Sequence, residues 1–171
     1  MESVAGASNN ERLLAAARAD NEEMLLEVFE QGGFDINFQD GIGNTALHNA
    51  VLHGSTDVLE HILSHEGCDV DPINRTEKAT PLHLALRLED PELRLHIVES
   101  LLDAGADTSI KDKNGDTVLD TLSADDTEIR VLIRKARVQA SLSADDVAND
   151  DDEEDEAAGS GSGSGSGSED D

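Results

Sequence analysis

His61 and His65 stand four residues apart, with Cys68 three further on. Two imidazoles one helical turn apart plus a thiolate would suit tetrahedral zinc. Gly67 is placed to end a helix before Cys68, however, and no fourth ligand stands nearby, so the pair reads as histidines on the solvent side of an outer helix. Gly41-Ile42-Gly43-Asn44-Thr45 looks like half of a phosphate-cradling loop, but the third glycine is missing and no Lys-Ser or Lys-Thr follows. Asp112-Lys113-Asn114-Gly115-Asp116 carries calcium-like residue types without the loop length or closing Glu of a calcium site. Both stretches read as turns. No Ser-His-Asp or Cys-His set is placed for nucleophilic attack, so the expectation is a chain that is not an enzyme, with no cofactor and no metal. Ser123, Ser143 and Ser168 each precede an Asp by three residues, an arrangement suited to acid-directed phosphorylation.

The elements that would position these residues are helical. Leu13, Leu14, Ala16 and Ala17 form one apolar face, and Ser8 with Glu11 marks its start as a capping box. Met24, Leu25, Val28 and Phe29 form a second face, which recurs as Val58, Leu59, Ile62 and Leu63, and again as Ile97, Val98, Leu101 and Leu102. A last copy holds Ile129, Leu132 and Ile133. This spacing puts each set on one helical stripe, and a lone stripe cannot bury itself. Asp20 with Glu23, Asp90 before Pro91, and Asp125 with Glu128 are the expected helix starts. Gly32-Gly33, Gly67 and Gly105 are the expected stops. Ala85 to Ile97 spans 12 residues where Ala50 to Val58 spans 8, which predicts a second helix longer by one turn, beginning at Pro91. Arg130, Arg134, Lys135 and Arg137 cluster where a helix C-terminus would favour cations.

Composition narrows the partners. The 171 residues carry 39 acidic and 12 basic side chains, a formal charge of −27. Such a chain repels free nucleic acid and anionic membranes, so neither is expected as a direct partner, and a basic protein is the natural complement. With Cys68 as the single cysteine, a reducing compartment is expected, cytoplasmic or nuclear. The first residues, Met1-Glu2-Ser3-Val4-Ala5-Gly6, show no basic-then-apolar leader. Residues 144–171 hold twelve acids and no base, including Asp150 to Glu156 and a Gly-Ser alternation. The expected organisation is a disordered N-terminus at 1–10, a repeat domain at 11–142 and a disordered acidic tail at 143–171.

One phrase recurs: Gly43-Asn44-Thr45-Ala46-Leu47-His48-Asn49-Ala50, then Lys78-Ala79-Thr80-Pro81-Leu82-His83-Leu84-Ala85, and a worn copy at Gly115-Asp116-Thr117-Val118-Leu119-Asp120. Its threonines lie 35 and 37 residues apart. On these residues the chain resembles the ankyrin-repeat family from roughly residue 11 to 135. The resemblance implies an all-α solenoid of about four helix-turn-helix repeats, the first and last acting as caps, with projecting β-hairpin loops near residues 40–44, 75–79 and 112–116. It implies that His48 and His83 bond backbone near the next hairpin, and that Thr45, Thr80 and Thr117 brace the same turns. It also implies a partner-binding concave face. Carried over position by position, that face holds Ile42, Asn44, Leu52 and His53, then Thr76, Glu77, Arg87 and Leu88, then Lys113, Asn114 and Asp116. The expected function is a monomeric, non-catalytic adaptor for a protein partner. Few repeats with an acidic tail are also similar to ribosomal-protein escorts and to small fungal ankyrin proteins, so an escort of a basic protein, such as a ribosomal protein or histone, is a second reading. A regulatory subunit or inhibitor of an enzyme complex is a third.

Overall fold

Each copy of the phrase starts a helix, and the threonine is the reason. In the computed structural model, which describes residues 8–148, Thr45, Thr80 and Thr117 are the N-caps of α3 (Ala46–Leu52), α5 (Pro81–Ala85) and α7 (Val118–Thr121). Ser8 caps α1 (Asn9–Ala19) in the same way, through a capping box with Glu11. Each of these is followed by a partner helix: α2 (Glu22–Gln31), α4 (Thr56–Ser64), α6 (Pro91–Asp103) and α8 (Thr127–Ala148). Inner helices α1, α3, α5 and α7 pack in sequence as one row, and α2, α4 and α6 as another. The result is the expected all-helical solenoid. Among the described residues there is no strand, so the projecting loops are closed by turns alone.

The chain divides after Ile133 into two units. In the first, the four stripes meet as foreseen: Leu13, Leu25, Val28, Leu47, Leu59, Ile62, Leu82, Ile97, Leu101 and Ile133 are all sealed from solvent in one cluster. Each such side chain contributes about 1.5–3 kcal/mol when fully buried. The second unit holds the continuation of α8, where Val138 and Leu142 are exposed.

Several expectations shift. Asp20 does not cap α2. It closes α1 in the left-handed region at φ 53°, and its carboxylate accepts from Val58 N–H at 3.1 Å. Asn21 takes the cap instead, accepting from Met24 N–H. α8 starts at Thr127, so Asp126 rather than Asp125 precedes it, held by Arg94 Nη2 at 2.9 Å. The basic cluster from Arg130 to Arg137 lies well inside α8, whose last turn has no base, because no Gly or Pro interrupts residues 131–148. α1 takes in Asn9 and Asn10, and α8 takes in residues 143–148. Residues 1–7 and the acidic Gly-Ser stretch from 149 lie outside the described residues.

The third repeat departs from the others in the foreseen way. α6 begins at Pro91 behind the Asp90 cap and has 13 residues against 9 in α4. Its added turn places Leu93 against Gly54, where a Cβ would sit 2.7 Å from Leu93 Cδ2. α5 is shorter than α3, with 5 residues against 7.

Candidate functional site

Three tips project from the N-terminal ends of α3, α5 and α7, and each is built by one Asx side chain. In the first, Asp40 N–H donates to Asn44 O, and the Asp40 carboxylate accepts from Ile42 N–H (3.0 Å) and Asn44 N–H (2.9 Å). In the third, Asp112 accepts from Asn114 and Asp116 N–H at 2.9 and 3.1 Å. Desolvation alone would raise the Asp112 carboxyl, but those two N–H bonds hold it below its ordinary value. In the second tip Asn74 does the same work for Glu77 and Ala79, both at 3.1 Å. This tip closes from Asn74 to Ala79, one residue longer than the closure from Asp40 to Asn44. At the station where the other tips have Gly43 (φ 89°) and Gly115 (φ 83°), it has Lys78 at φ 53°.

The tips are bonded to each other. Arg75 N–H donates to Ile42 O at 2.9 Å, and Lys113 N–H donates to Glu77 O at 2.8 Å. Arg75 Nη1 adds a bond to Gly41 O, also at 2.9 Å. Behind them the phrase histidines act as clamps. His48 Nδ1 accepts from Thr45 N–H at 3.1 Å, so its proton is on Nε2, which donates to Ala79 O at 2.9 Å. Burial pushes the His48 imidazole below its ordinary value, which keeps it in this neutral form. His83 repeats the arrangement, reaching Asp116 O at 3.0 Å.

The expected contact residues separate accordingly. Ile42 and Leu52 are exposed apolar side chains at 49% and 40%. Thr76, Lys113, Asn114 and His53 are exposed, with the His53 ring bonded to Asn49 O. Glu77 and Arg87 are brought together as an ion pair at 3.0 Å. Asp116 is half-buried, its backbone held from both sides. Asn44 is a correction: it is buried, and its side-chain oxygen accepts from Asn74 Nδ2 at 3.0 Å, so it joins two tips and does not face a partner. Leu88 is half-buried and packs against the core, where its C-terminal neighbours lead into α6. Ile73, exposed beside the second tip, and Arg75, which ties that tip to the first, were not picked out from the sequence. An apolar residue directly after Pro72 in an extended arm was the available signal for Ile73.

The residues with chemical potential are dispersed into structural roles. His61 Nε2 meets Glu22 Oε2 at 2.7 Å across α4 and α2. His65 packs on the rings of Phe29 and Phe34, with centroids 4.8 and 5.3 Å away. Burial, then the charge of Asp69, pushes the Cys68 thiol up to about 11, away from reactivity. Among the described residues no cluster of His, Cys, Asp or Glu is arranged to hold a metal ion. In the glycine-containing first tip, the N–H groups of Ile42, Gly43, Asn44 and Thr45 already have protein acceptors, so they do not form a cradle for phosphate.

Stacked helix pairs, the last three opened by threonine brackets and the two interior ones tied to the next tip by His48 and His83, define a repeat solenoid that presents tips and an inner-helix face. The chain belongs to the ankyrin-repeat family: the family model for ankyrin repeats in three copies matches residues 13–112. Among its relatives, the Ankyrin repeat-containing protein YGL242C of Saccharomyces cerevisiae is 36% identical over 134 residues, covering 72% of this chain and 74% of that protein. Ankyrin repeat and SOCS box protein 6 of Mus musculus is 43% identical over 93 residues, 54% of this chain and 21% of that protein. The E3 ubiquitin-protein ligase Ufd4 of Drosophila melanogaster is 33% identical over 109 residues, 64% of this chain and 4% of that one. The chain thus spans about three quarters of the yeast relative and only 21% and 4% of the other two. Ankyrin repeats mediate protein–protein interaction. No helix among the described residues is long and apolar enough to cross a membrane.

Proposed function

We propose that this chain is a non-catalytic adaptor that holds a protein partner against the tips and the inner-helix face. One observation carries the reading: the tip backbones are bonded internally and to one another, while Ile42, Thr76, Lys113 and Asn114 turn their side chains to solvent. Exposed Ile42, Ile73 and Leu52 supply apolar contact on a surface otherwise rich in charge. Cys68, the single thiol, suits a reducing compartment, so the reading places the chain in the cytoplasm or nucleus, and it takes the chain to act as a monomer. Affinity purification with mass identification tests this. The double variant Ile42→Asp with Leu52→Asp is expected to lose the wild-type partner while keeping its thermal midpoint. A partner retained at wild-type yield would defeat the proposal.

The charge of −27, with twelve acids and no base in residues 144–171, favours a second reading: escort of a basic protein. Here the partner would leave on truncation after Leu142 and its affinity would fall steeply with salt. Binding insensitive to both would rule the escort out and leave the adaptor standing.

A further inference from the structure

The row of tips has an open end. Arg75 and Lys113, each one residue into its tip, donate their N–H to the carbonyl of the tip before. Gly41 holds the corresponding place in the first tip, and among the described residues no tip precedes it. α1 instead starts early, with 11 residues against 7 in α3, and Asn10 in its first turn accepts from Asp35 N–H at 2.7 Å. The Gly41 N–H has no acceptor among the described residues. Beside it lies a cleft of about 510 Å³ lined by Leu14, Arg18, Phe38 and Arg75.

Two acids also line this cleft, and both are engaged. Glu11 accepts from Ser8 N–H, and Asp40 accepts from Ile42 and Asn44 N–H. The two guanidiniums are the reverse case. Arg12, Arg87 and Arg94 each pair with a carboxylate, whereas among the described residues Arg18 and Arg75, like Arg130 and Arg134 of α8, have none within 4.0 Å. Arg75 directs Nη1 to the carbonyls of Asp40 and Gly41, leaving Nη2 and Nε available. The Arg18 side chain is exposed and makes no bond among the described residues.

We infer that this cleft takes an extended segment of a partner protein that carries a carboxylate side chain. One backbone carbonyl of the segment accepts the Gly41 N–H and continues the row of tips, as an added strand continues a sheet edge. The carboxylate is held by Arg18 and Arg75 through charge-assisted hydrogen bonds. A neighbouring apolar side chain covers the half-buried ring of Phe38. The inference rests on the adaptor reading and names the chemistry at one end of that surface. The chain's overall negative field is screened beyond about 8 Å at physiological salt, but Glu11 and Asp40 line the same cleft and keep their charge, so the two direct guanidinium contacts have to outweigh them at close range.

Short capped peptides that alternate valine with glutamate, glutamine or lysine test this by titration into the isotope-labelled full chain at physiological salt. The glutamate peptide is expected to bind roughly tenfold tighter than the glutamine peptide. The Gly41 amide and Arg18 Nε signals should shift most. Arg18→Glu should keep its thermal midpoint, lose that preference and turn to the lysine peptide. Equal binding of all three, no binding, or shifts centred on Lys113 and Asn114 would each overturn the inference. The assay needs no cellular partner, so the two proposals fail separately. A partner captured through Ile42 and Leu52 without a glutamate preference sinks the cleft alone. A glutamate-selective cleft with capture indifferent to Ile42 and Leu52 sinks the adaptor reading alone.

Discussion

His48 and Asp120 occupy the same station in two copies of the repeat, three residues after a bracketing threonine. Both complete a capping box with that threonine. Only the imidazole has a second nitrogen at the far end of a ring, and His48 uses it to reach Ala79 O, 31 residues along the chain. The Asp120 carboxylate receives the N–H and hydroxyl of Thr117 at 2.9 and 3.1 Å, but an ionised carboxylate has no proton to donate to a distant carbonyl. Starting a helix and clamping the next repeat are therefore separable jobs, joined in the interior repeats and divided in the terminal one.

Removing each side chain should expose the difference. His48→Ala leaves a buried cavity, takes the acceptor from Thr45 N–H and leaves Ala79 O with Asn74 N–H as its one donor, so urea melts should show a loss of about 3–4 kcal/mol. Asp120→Ala removes a cap on the exposed surface and should lose about 1 kcal/mol. Equal losses would mean that the clamp contributes nothing beyond the cap. The glycines two residues before each threonine make a parallel pair. A Cβ at Gly43 would meet Arg75 N at 2.5 Å, whereas at Gly115 it would meet nothing within 4 Å. Gly43→Ala should therefore cost about 3 kcal/mol, from positive φ and backbone clash together, and Gly115→Ala about 1 kcal/mol from φ alone. At the matching station Lys78→Gly relieves a left-handed lysine and should raise stability by about 1 kcal/mol.

The smallest effect is pH-dependent. Burial lowers the His48 imidazole, with the Ala79 bond and the charge of Asp40 pulling partly back. The unfolded chain therefore takes up this proton first, so the contribution is complete above about pH 6.5 and declines as pH falls toward the lower folded value. The urea midpoint of the wild type should drop between about pH 7.5 and 5.5, and that of His48→Gln should drop less. Parallel slopes would show that other groups carry the pH response.

What could be read from the sequence was local. The stripes at Leu25 and Val28, Leu59 and Ile62, Ile97 and Leu101 declared their helices by spacing, and Asp90-Pro91 announced the longer α6. What could not be read was decided across repeats. Asp20 and Asn21 are equally good caps in isolation, and the choice falls to Asn21 because Asp20 answers Val58 N–H, 38 residues away. Asn44 looked like a surface residue until Asn74 of the next tip covered it. The open cleft has the same character: Leu14, Phe38 and Arg75 come from three repeats, and no short motif joins them. α8 outran its expected end because nothing in residues 131–148 tells a helix to stop.

The backbone bonds from Arg75 to Ile42 and from Lys113 to Glu77 turn three loops into the teeth of a single comb. A comb has a fixed pitch. A partner that engages Ile42 meets Thr76 and Lys113 at distances set before it arrives, with less loop-ordering entropy left to lose on contact. Discrimination among partners then becomes a question of phase, whether the projections of an incoming chain fall into step with the teeth, and a mismatch at one tooth is not absorbed by bending the others.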